Sequence, residues 1–208
     1  MNKRKVSKIL FLFVLITITF ALEWYVIIDW VDKITKETGL KTPSYLLTIL
    51  EKESKFAKDI GSNLGNKDDN IQRCVDFCKE VPIGYQCYSK EMRKNWCLSQ
   101  YSALEKITSR LGLDINKVPF SPDFGMGYTQ FQPTTWEMYP ELKNKNPWKL
   151  EDSLYATAIK LLKDGIHTNE EKAIWYYNQN PEYIQDFVSK RQDWEQILQD
   201  TIFVYDCS

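Results

Sequence analysis

Residues 123–136 read DFGMGYTQFQPTTW, and this stretch constrains the fold more than any other part of the chain. Gly125 and Gly127 flank Met126, and because glycine has no Cβ, the backbone at these positions can come close to a ligand. Pro133 is typical of the first position of a helix, so the turn before it is expected to be held in place. By itself the stretch predicts a tight turn followed by a short helix.

Gln130 follows the two glycines, and its side-chain amide both donates and accepts hydrogen bonds. Such an amide suits the N-acetyl and hydroxyl groups of a sugar. Turns of this kind are nevertheless common where no ligand binds, so other parts of the chain must decide between the two interpretations.

The second informative segment is a helix predicted at residues 43–58. Leu46, Ile49 and Leu50 mark its apolar face, and Glu53 lies seven, four and three residues beyond them, on the same face. A carboxyl on an apolar face is poorly solvated when ionised, which raises its pKa towards neutrality. Glu53 is therefore a candidate general acid.

Glu51 falls in register with Leu47 and Lys55, which predicts a position on the flank of this helix or in solvent. Periodicity alone also allows Glu53 to be a helix-edge residue whose carboxylate reaches water. The apolar register thus separates the two glutamates without proving a function for either.

Composition narrows the possible chemistry. The chain has 208 residues, 43% of them hydrophobic, which fits one domain with a substantial core. Its 27 Lys and Arg nearly balance 28 Asp and Glu, so there is no electrostatic basis for binding nucleic acid. The single histidine, His167, is interpreted as a surface residue, which disfavours histidine-based nucleophiles and metal sites. We expect carboxylate chemistry with no metal and no cofactor.

Apolar spacing predicts a mainly α-helical domain, and no convincing period-2 strand is found. Gly112 and Gly165 are stop signals for two helices, and residues 168–171 form a capping sequence for a third. Besides the helix at 43–58, helices are predicted at residues 99–111, 133–139, 150–163 and 182–200. A further helix is predicted from the capping sequence at 168–171 to Tyr177.

The N-terminal sequence predicts that the protein is exported from the cytoplasm. Basic residues precede an apolar run that begins at Ile9 and resumes after Glu23. Residues 1–28 are therefore either a cleaved signal peptide or an uncleaved anchor in the inner membrane. Residues 29–41 are expected to form a charged connector to a domain at 42–208. Either way, the domain lies in the periplasm or cell envelope.

Four cysteines, Cys74, Cys78, Cys87 and Cys97, cluster in a predicted insertion at residues 66–97. In an oxidising compartment this pattern predicts one or two disulfides that pin a loop-rich segment. Three pairings of the four are possible, and the sequence does not choose among them. A zinc site is the weaker alternative, because the spacing lacks paired C-x2-C elements.

Residues 125–136 resemble a signature of the lysozyme-like lytic transglycosylases, especially the lytic transglycosylase B family. That signature reads approximately A-M-G-x-x-Q-F-M-P-S-[ST]-[YW]. The chain departs from it at Gly125, Gln132 and Thr134. Of these changes, Gln132 for Met is the one expected to alter how the turn packs.

Three further elements of this family have counterparts in the same order. Residues 53–56, Glu-Ser-Lys-Phe, match its Glu-[ST]-x-[WF] element, which supplies the catalytic acid. Residues 146–153 and 177–183 correspond to its N-x-W-[ND]-x-x-D-A and Y-N-x-S-x-x-Y elements. The four motifs together cover roughly residues 43–190, and the cysteine insertion lies outside the pattern.

The resemblance implies a lysozyme-like helical fold and cleavage of peptidoglycan glycan strands between N-acetylmuramic acid and N-acetylglucosamine. Glu53 would act first as acid and then as base, giving 1,6-anhydro ends without water. Membership of a cell-envelope machine is compatible with this activity. The residues implied in substrate binding are Ser54, Gly125, Met126, Gly127, Tyr128, Gln130, Phe131, Tyr177 and Asn178.

Two alternatives stay open at this point. A second carboxylate in the site, Asp123 or Asp59, would favour hydrolysis by a muramidase, since ordinary glycosidases use two carboxylates. An inactive glycan-binding scaffold is the other alternative, although such a module would not need a carboxyl on an apolar face.

Overall fold

The computed structural model describes residues 24–56, 59–80 and 89–206, and all the regular elements in these ranges are helical. Residues 24–38 form α1. The others are α2 (Ser44–Ser54), α3 (Lys67–Glu80), α4 (Lys90–Arg110), α5 (Pro133–Glu137), α6 (Leu150–Lys163), α7 (Glu170–Tyr177) and α8 (Pro181–Asp206). Short 3-10 turns lie at Gly127–Thr129 and Pro140–Leu142. The mainly α prediction is confirmed.

A first hydrophobic core forms around α2, whose apolar side chains are completely buried against α6, α7 and α8. The segment 29–41, expected as a connector, lies mostly within α1, and its Val31, Ile34 and Leu40 are buried in this core. The buried centre also includes Leu46, Leu47, Ile49, Leu50, Leu154, Leu161 and Phe187.

A second core lies between α3, α4 and α5 and includes the turn before α5. Trp136 is fully buried there, and its indole N–H donates to the carbonyl of Leu142. Tyr155 on α6 packs against both cores and connects them. The buried aromatic members are Tyr101, Phe120, Phe124, Phe131 and Trp136.

The end of α2 differs from the prediction. The helix ends at Ser54, four residues before the expected end. Lys55 and Phe56 have positive φ angles of 48° and 57°, and their N–H groups donate back into the last turn. The helix thus closes in a left-handed turn made without glycine, so the sequence carries no stop signal at this position.

Helix α3 lies in a segment for which the sequence predicts a loop. Its buried apolar residues are Ile71, Cys74, Val75 and Cys78, at helical spacing. Cysteine behaves as a small apolar residue when buried, and the helical pattern is visible only when Cys74 and Cys78 are counted as part of the apolar face. Asn66 caps the helix by accepting from the N–H of Asp69.

Helix α4 begins nine residues before its predicted start, at Lys90. Ser89 caps it by accepting from the N–H of Met92 at 3.1 Å. The cysteine insertion is therefore built largely from α3 and the first turns of α4. Within the part of the chain that the structure describes, it is a helical pair rather than a loop-rich segment.

A disulfide joins Cys74 on α3 to Cys97 on α4, with Cα atoms 6.0 Å apart. Cys78 is buried beside it, and the sulfur atoms of the three cysteines lie within 4.8 Å of one another. Because Cys74 and Cys97 are bonded to each other, they are not available as thiolate ligands for zinc. Cys87 lies outside the described residues.

Most of the expected signal or anchor segment, residues 1–23, also lies outside the described residues. Among the helices that are described, none is both long enough and apolar enough to cross a membrane. Residues 24–28, the end of that segment, belong to α1.

Candidate active site

A cavity of about 710 Å³ lies where elements of the two cores meet. Its walls are rich in side-chain amides and aromatic rings, with two carboxylates among them. The lining residues are Glu53, Phe77, Trp96, Gln100, Asp123, Gln130, Phe131, Gln132, Thr134, Thr135, Lys160, Tyr176, Tyr177, Asn178, Gln179, Asn180 and Pro181.

Glu53 is the next-to-last residue of α2, and part of its surface is exposed to this cavity. The hydroxyl of Tyr183 donates a 2.6 Å hydrogen bond to its Oε1. Burial raises the pKa of Glu53 from 4.5 to about 7 and outweighs the lowering by this hydrogen bond. The negative charge of Asp123 raises the pKa further. A substantial fraction of Glu53 is thus protonated near neutral pH.

Tyr183 on α8 is also contacted by Lys52. The Lys52 ammonium lies 4.2 Å from the centroid of the Tyr183 ring and forms an ion pair with Asp186. Burial, followed by the nearby charge of Glu53, keeps the pKa of Tyr183 well above its usual value of 10. Tyr183 therefore remains a hydrogen-bond donor to Glu53 throughout the physiological pH range.

The side chain of Glu51 lies in a different environment from that of Glu53. Its carboxylate accepts hydrogen bonds from Lys190 at 2.5 Å and from the indole of Trp194 at 2.9 Å, both on α8. It is half-buried rather than in solvent, and Leu47 in the same register is fully buried. The expected separation of Glu51 from Glu53 holds, because only Glu53 lines the cavity.

In the turn at residues 125–132, the backbone geometry requires a glycine at position 127. Gly127 has a φ of 63°, and a Cβ there would overlap the backbone carbonyl of Pro147. The close approach at this glycine is thus to the chain's own backbone. The amide of Gln130 donates to the carbonyl of Gly127 at 2.7 Å, and paired backbone hydrogen bonds join Met126 to Phe131.

Asp123 is the second carboxylate of the cavity. It accepts hydrogen bonds from the hydroxyl of Ser121 and, at 3.0 Å, from the amide of Gln132. Asp59, the other carboxylate considered as a catalytic partner, is exposed and does not line the cavity. Of the two alternatives, only Asp123 shares a cavity with Glu53.

Tyr177, at the end of α7, donates a 2.7 Å hydrogen bond to the carbonyl of Thr129. This bond connects α7 to the turn that carries Gln130. Burial is the largest cause of a strongly raised pKa for Tyr177, and the charge of Glu53 adds to it. Asn178 follows as the C-cap of α7 and lines the same wall.

The predicted site residues fall into two groups. Glu53, Gln130, Phe131, Tyr177 and Asn178 line the cavity. The others do not line it: Ser54, Gly125, Met126 and Gly127 are buried, and Tyr128 packs partly against the first core. The hydroxyl of Ser54 donates to the carbonyl of Leu50, inside its own helix.

Phe77 and Trp96 were missed because both lie in the cysteine insertion, which had no counterpart in the recognised motifs. The available signal was their spacing, since Trp96 directly precedes Cys97 and Phe77 follows Cys74 by three residues. His167 is exposed, as expected, and its Nε2 accepts from the backbone N–H of Lys41.

No family model matches the sequence, and no curated protein matches it. Three solved structures with a similar fold are described as transglycosylases. The soluble lytic transglycosylase SltB1 from Pseudomonas aeruginosa gives a TM-score of 0.61 at 13% identity, over 81% of this chain and 75% of that one. The Escherichia coli lytic transglycosylase Slt35 in complex with bulgecin A gives a TM-score of 0.62 at 13% identity, over 82% of this chain and 71% of that one.

A 36 kDa muramidase/transglycosylase gives a TM-score of 0.62 at 12% identity, over 82% of this chain and 72% of that one. At such low identity the likeness establishes the fold. The expected lysozyme-like helical transglycosylase fold is therefore confirmed.

Proposed function

We propose that this protein is a peptidoglycan lytic transglycosylase with Glu53 as its single acid and base. One observation carries the proposal: Glu53 faces a large cavity and its pKa is raised to about 7 by burial. A general acid works best when its pKa lies near the working pH. The helical transglycosylase fold and the amide-rich walls, which suit N-acetyl and hydroxyl groups, support the same conclusion.

In the proposed reaction, protonated Glu53 gives its proton to the glycosidic oxygen as the bond from muramoyl C1 to that oxygen breaks. The Glu53 carboxylate then takes the proton from the C6 hydroxyl of the same muramoyl ring. The C6 oxygen bonds to C1, which closes a 1,6-anhydro ring and regenerates the acid. No water is consumed, and one carboxyl is sufficient for both proton transfers.

The surrounding residues have distinct parts in this proposal. Tyr183 orients the Glu53 carboxyl through its 2.6 Å hydrogen bond. Gln130, Phe131, Tyr177 and Asn178 line the path of the glycan beside it. The residues of the turn that are buried, such as Met126, shape this wall from behind.

Hydrolysis is the second candidate, and the position of Asp123 in the same cavity is the observation that favours it. As a base, Asp123 would activate a water in place of the C6 hydroxyl. Its two hydrogen bonds, from Ser121 and Gln132, and its raising effect on the pKa of Glu53 instead suit an electrostatic role.

We infer that the enzyme works outside the cytoplasm, on glycan strands in the periplasm or cell envelope. The basic N-terminus, the apolar run and the disulfide between Cys74 and Cys97 support export. Whether residues 1–28 are removed or retained as an anchor decides its distance from the inner membrane. A place in a larger envelope machine is compatible with this location.

Mass spectrometry of fragments released from purified sacculi tests the reaction. A transglycosylase gives muropeptides with 1,6-anhydro ends, each lighter by one water than the product of a muramidase. We expect the lighter product from the wild-type protein and none from Glu53→Gln. Products carrying the added water would assign the activity to a hydrolase, and the absence of any product would support a glycan-binding scaffold.

A further inference from the structure

Two aromatic side chains of the cysteine insertion, Phe77 on α3 and Trp96 on α4, line the cavity that contains Glu53. Both rings are partly exposed there. Trp96 packs in part against the second core, whereas Phe77 is not among the described apolar residues that pack against either core.

The disulfide fixes the backbone that carries both rings. Trp96 directly precedes Cys97, and Phe77 follows Cys74 by three residues, nearly one helical turn. The pair of helices is thus crosslinked where it meets the cavity. An aromatic surface held in this way loses little conformational entropy when a ligand stacks on it.

Helix α4 is also tied to the wall that carries Gln130. The buried side chain of Gln100 accepts from the N–H of Thr134 at 3.1 Å and donates to its hydroxyl at 2.8 Å. Thr134 lies in the first turn of α5, directly after that wall. The two aromatic rings and the amide wall therefore form one connected surface.

The cavity's chemistry suits a neutral ligand with polar edges. Among the described lining residues, Lys160 is the one cation, and it is already held by Asp164 at 2.5 Å and by the carbonyl of Tyr176 at 3.0 Å. Side-chain amides also line the cavity, among them those of Asn178 and Gln179, and such amides can pair with the acetamido group of a sugar.

We propose that Phe77 and Trp96 form a stacking subsite for one N-acetylhexosamine ring of the glycan. This inference rests on the proposed function, because it takes the ligand to be a glycan strand. Sugar rings present C–H faces that pack against aromatic rings, and their N-acetyl groups need amide partners. The subsite is formed by residues that lie outside the recognised motifs.

The subsite acts on binding rather than on bond cleavage. Burial is the largest cause of the raised pKa of Glu53, and the individual groups that shift this pKa by hydrogen bond or charge are Tyr183, Asp123 and Lys52, not the two aromatic rings. Loss of the stacking contact should weaken binding of the substrate and of the transition state equally. This raises KM and leaves kcat close to the wild-type value.

Binding of triacetylchitotriose to the full-length protein, measured by calorimetry, tests the proposal. Phe77→Leu keeps apolar bulk and removes the flat ring, and we expect about tenfold weaker binding. Phe77→Tyr should retain binding. Trp175→Ala is the matched control, because Trp175 is 39% exposed on α7 and does not line the cavity. Equal affinities for Phe77→Leu and the control would overturn the subsite.

A second measurement does not depend on removing a ring. Trp96→Phe keeps an aromatic ring in place, and it should abolish most of the change in tryptophan fluorescence that triacetylchitotriose causes in the wild type. An undiminished change in Trp96→Phe would contradict the proposal.

The two proposals can fail separately. If wild-type protein releases the lighter muropeptides and Phe77→Leu has an unchanged KM on sacculi, the function stands and the subsite is wrong. If sacculi are not cleaved but triacetylchitotriose binding depends on Phe77, the subsite stands and the catalytic proposal is wrong.

Discussion

The hydroxyl of Tyr183 on α8 donates a 2.6 Å hydrogen bond to Oε1 of Glu53 on α2, joining residues 130 positions apart in the chain. The same two helices are tied by the ion pair of Lys52 with Asp186. The packing of α8 on α2 therefore orients the candidate acid, and the protonation of Glu53 depends on a residue far away in sequence.

Replacing Tyr183 with Phe removes a hydrogen bond that lowers the pKa of Glu53, so this pKa should rise. Because the acid must be protonated to act, wild-type kcat/KM should fall as the pH rises through about 7. In Tyr183→Phe that fall should move to higher pH, while kcat drops about tenfold because the carboxyl loses its orientation. An unmoved pH profile would show that Tyr183 does not act on Glu53.

Asp123→Asn should move the profile in the opposite direction. The charge of Asp123 raises the pKa of Glu53, so removing it lowers that pKa and shifts the loss of activity to lower pH. The products should still carry 1,6-anhydro ends. Loss of activity as complete as in Glu53→Gln would instead make Asp123 a participant in the chemistry, as in a muramidase.

Much of the fold could be predicted from periodicity and end signals. Helix α6 has the predicted bounds, and α5, α7 and α8 begin at or within a residue or two of theirs. Errors occurred where the apolar face is made of cysteines, as in α3, and where α2 ends in a left-handed turn without glycine. The burial of α1 depends on tertiary contacts that a charged sequence does not reveal.

The site was predictable only in part. Helical register distinguished Glu53 from Glu51, and in the structure Glu53 lines the cavity. The motif around Gln130 corresponds to one wall of the same cavity. The partner of Glu53 is set by the packing of α8, which no local pattern contains. The sequence offered Asp123 and Asp59 equally as a second carboxylate, and only the folded chain shows that Asp123 and the two aromatic rings share the cavity with Glu53.

Glu53 should also destabilise the folded protein at alkaline pH. In the unfolded chain it ionises near 4.5 and in the folded protein near 7, so raising the pH between these values favours unfolding. Glu53→Gln removes this penalty, and its Tm should exceed that of the wild type by more than about 4 °C at pH 8. At pH 4 the two should agree.

Thermal scans by circular dichroism at both pH values check this prediction. Glu51→Gln is the matched control, because Glu51 pairs with Lys190 and its loss should lower Tm at pH 8. A lower Tm at pH 8 for Glu53→Gln as well would mean that burial does not penalise the charged form of Glu53.

Gly127→Ala should destabilise the protein by at least about 2 kcal/mol, lowering Tm by about 4–8 °C. The new Cβ would overlap the carbonyl of Pro147 at a φ that disfavours side chains. Gly112→Ala is the control, because its φ is 66° but no atom lies within 4 Å of a Cβ there, so about 1 kcal/mol is expected. Equal melting temperatures would show that the approach of Pro147 is readily relaxed.

The rate at which soluble fragments are released from purified sacculi by Glu53→Gln tests the central claim most directly. We predict a loss of at least about 100-fold relative to the wild type, with triacetylchitotriose binding retained. Glu51→Gln, altered two residues away but outside the cavity, should remain close to the wild-type rate. Unchanged turnover by Glu53→Gln would contradict the assignment of Glu53 as the acid and base.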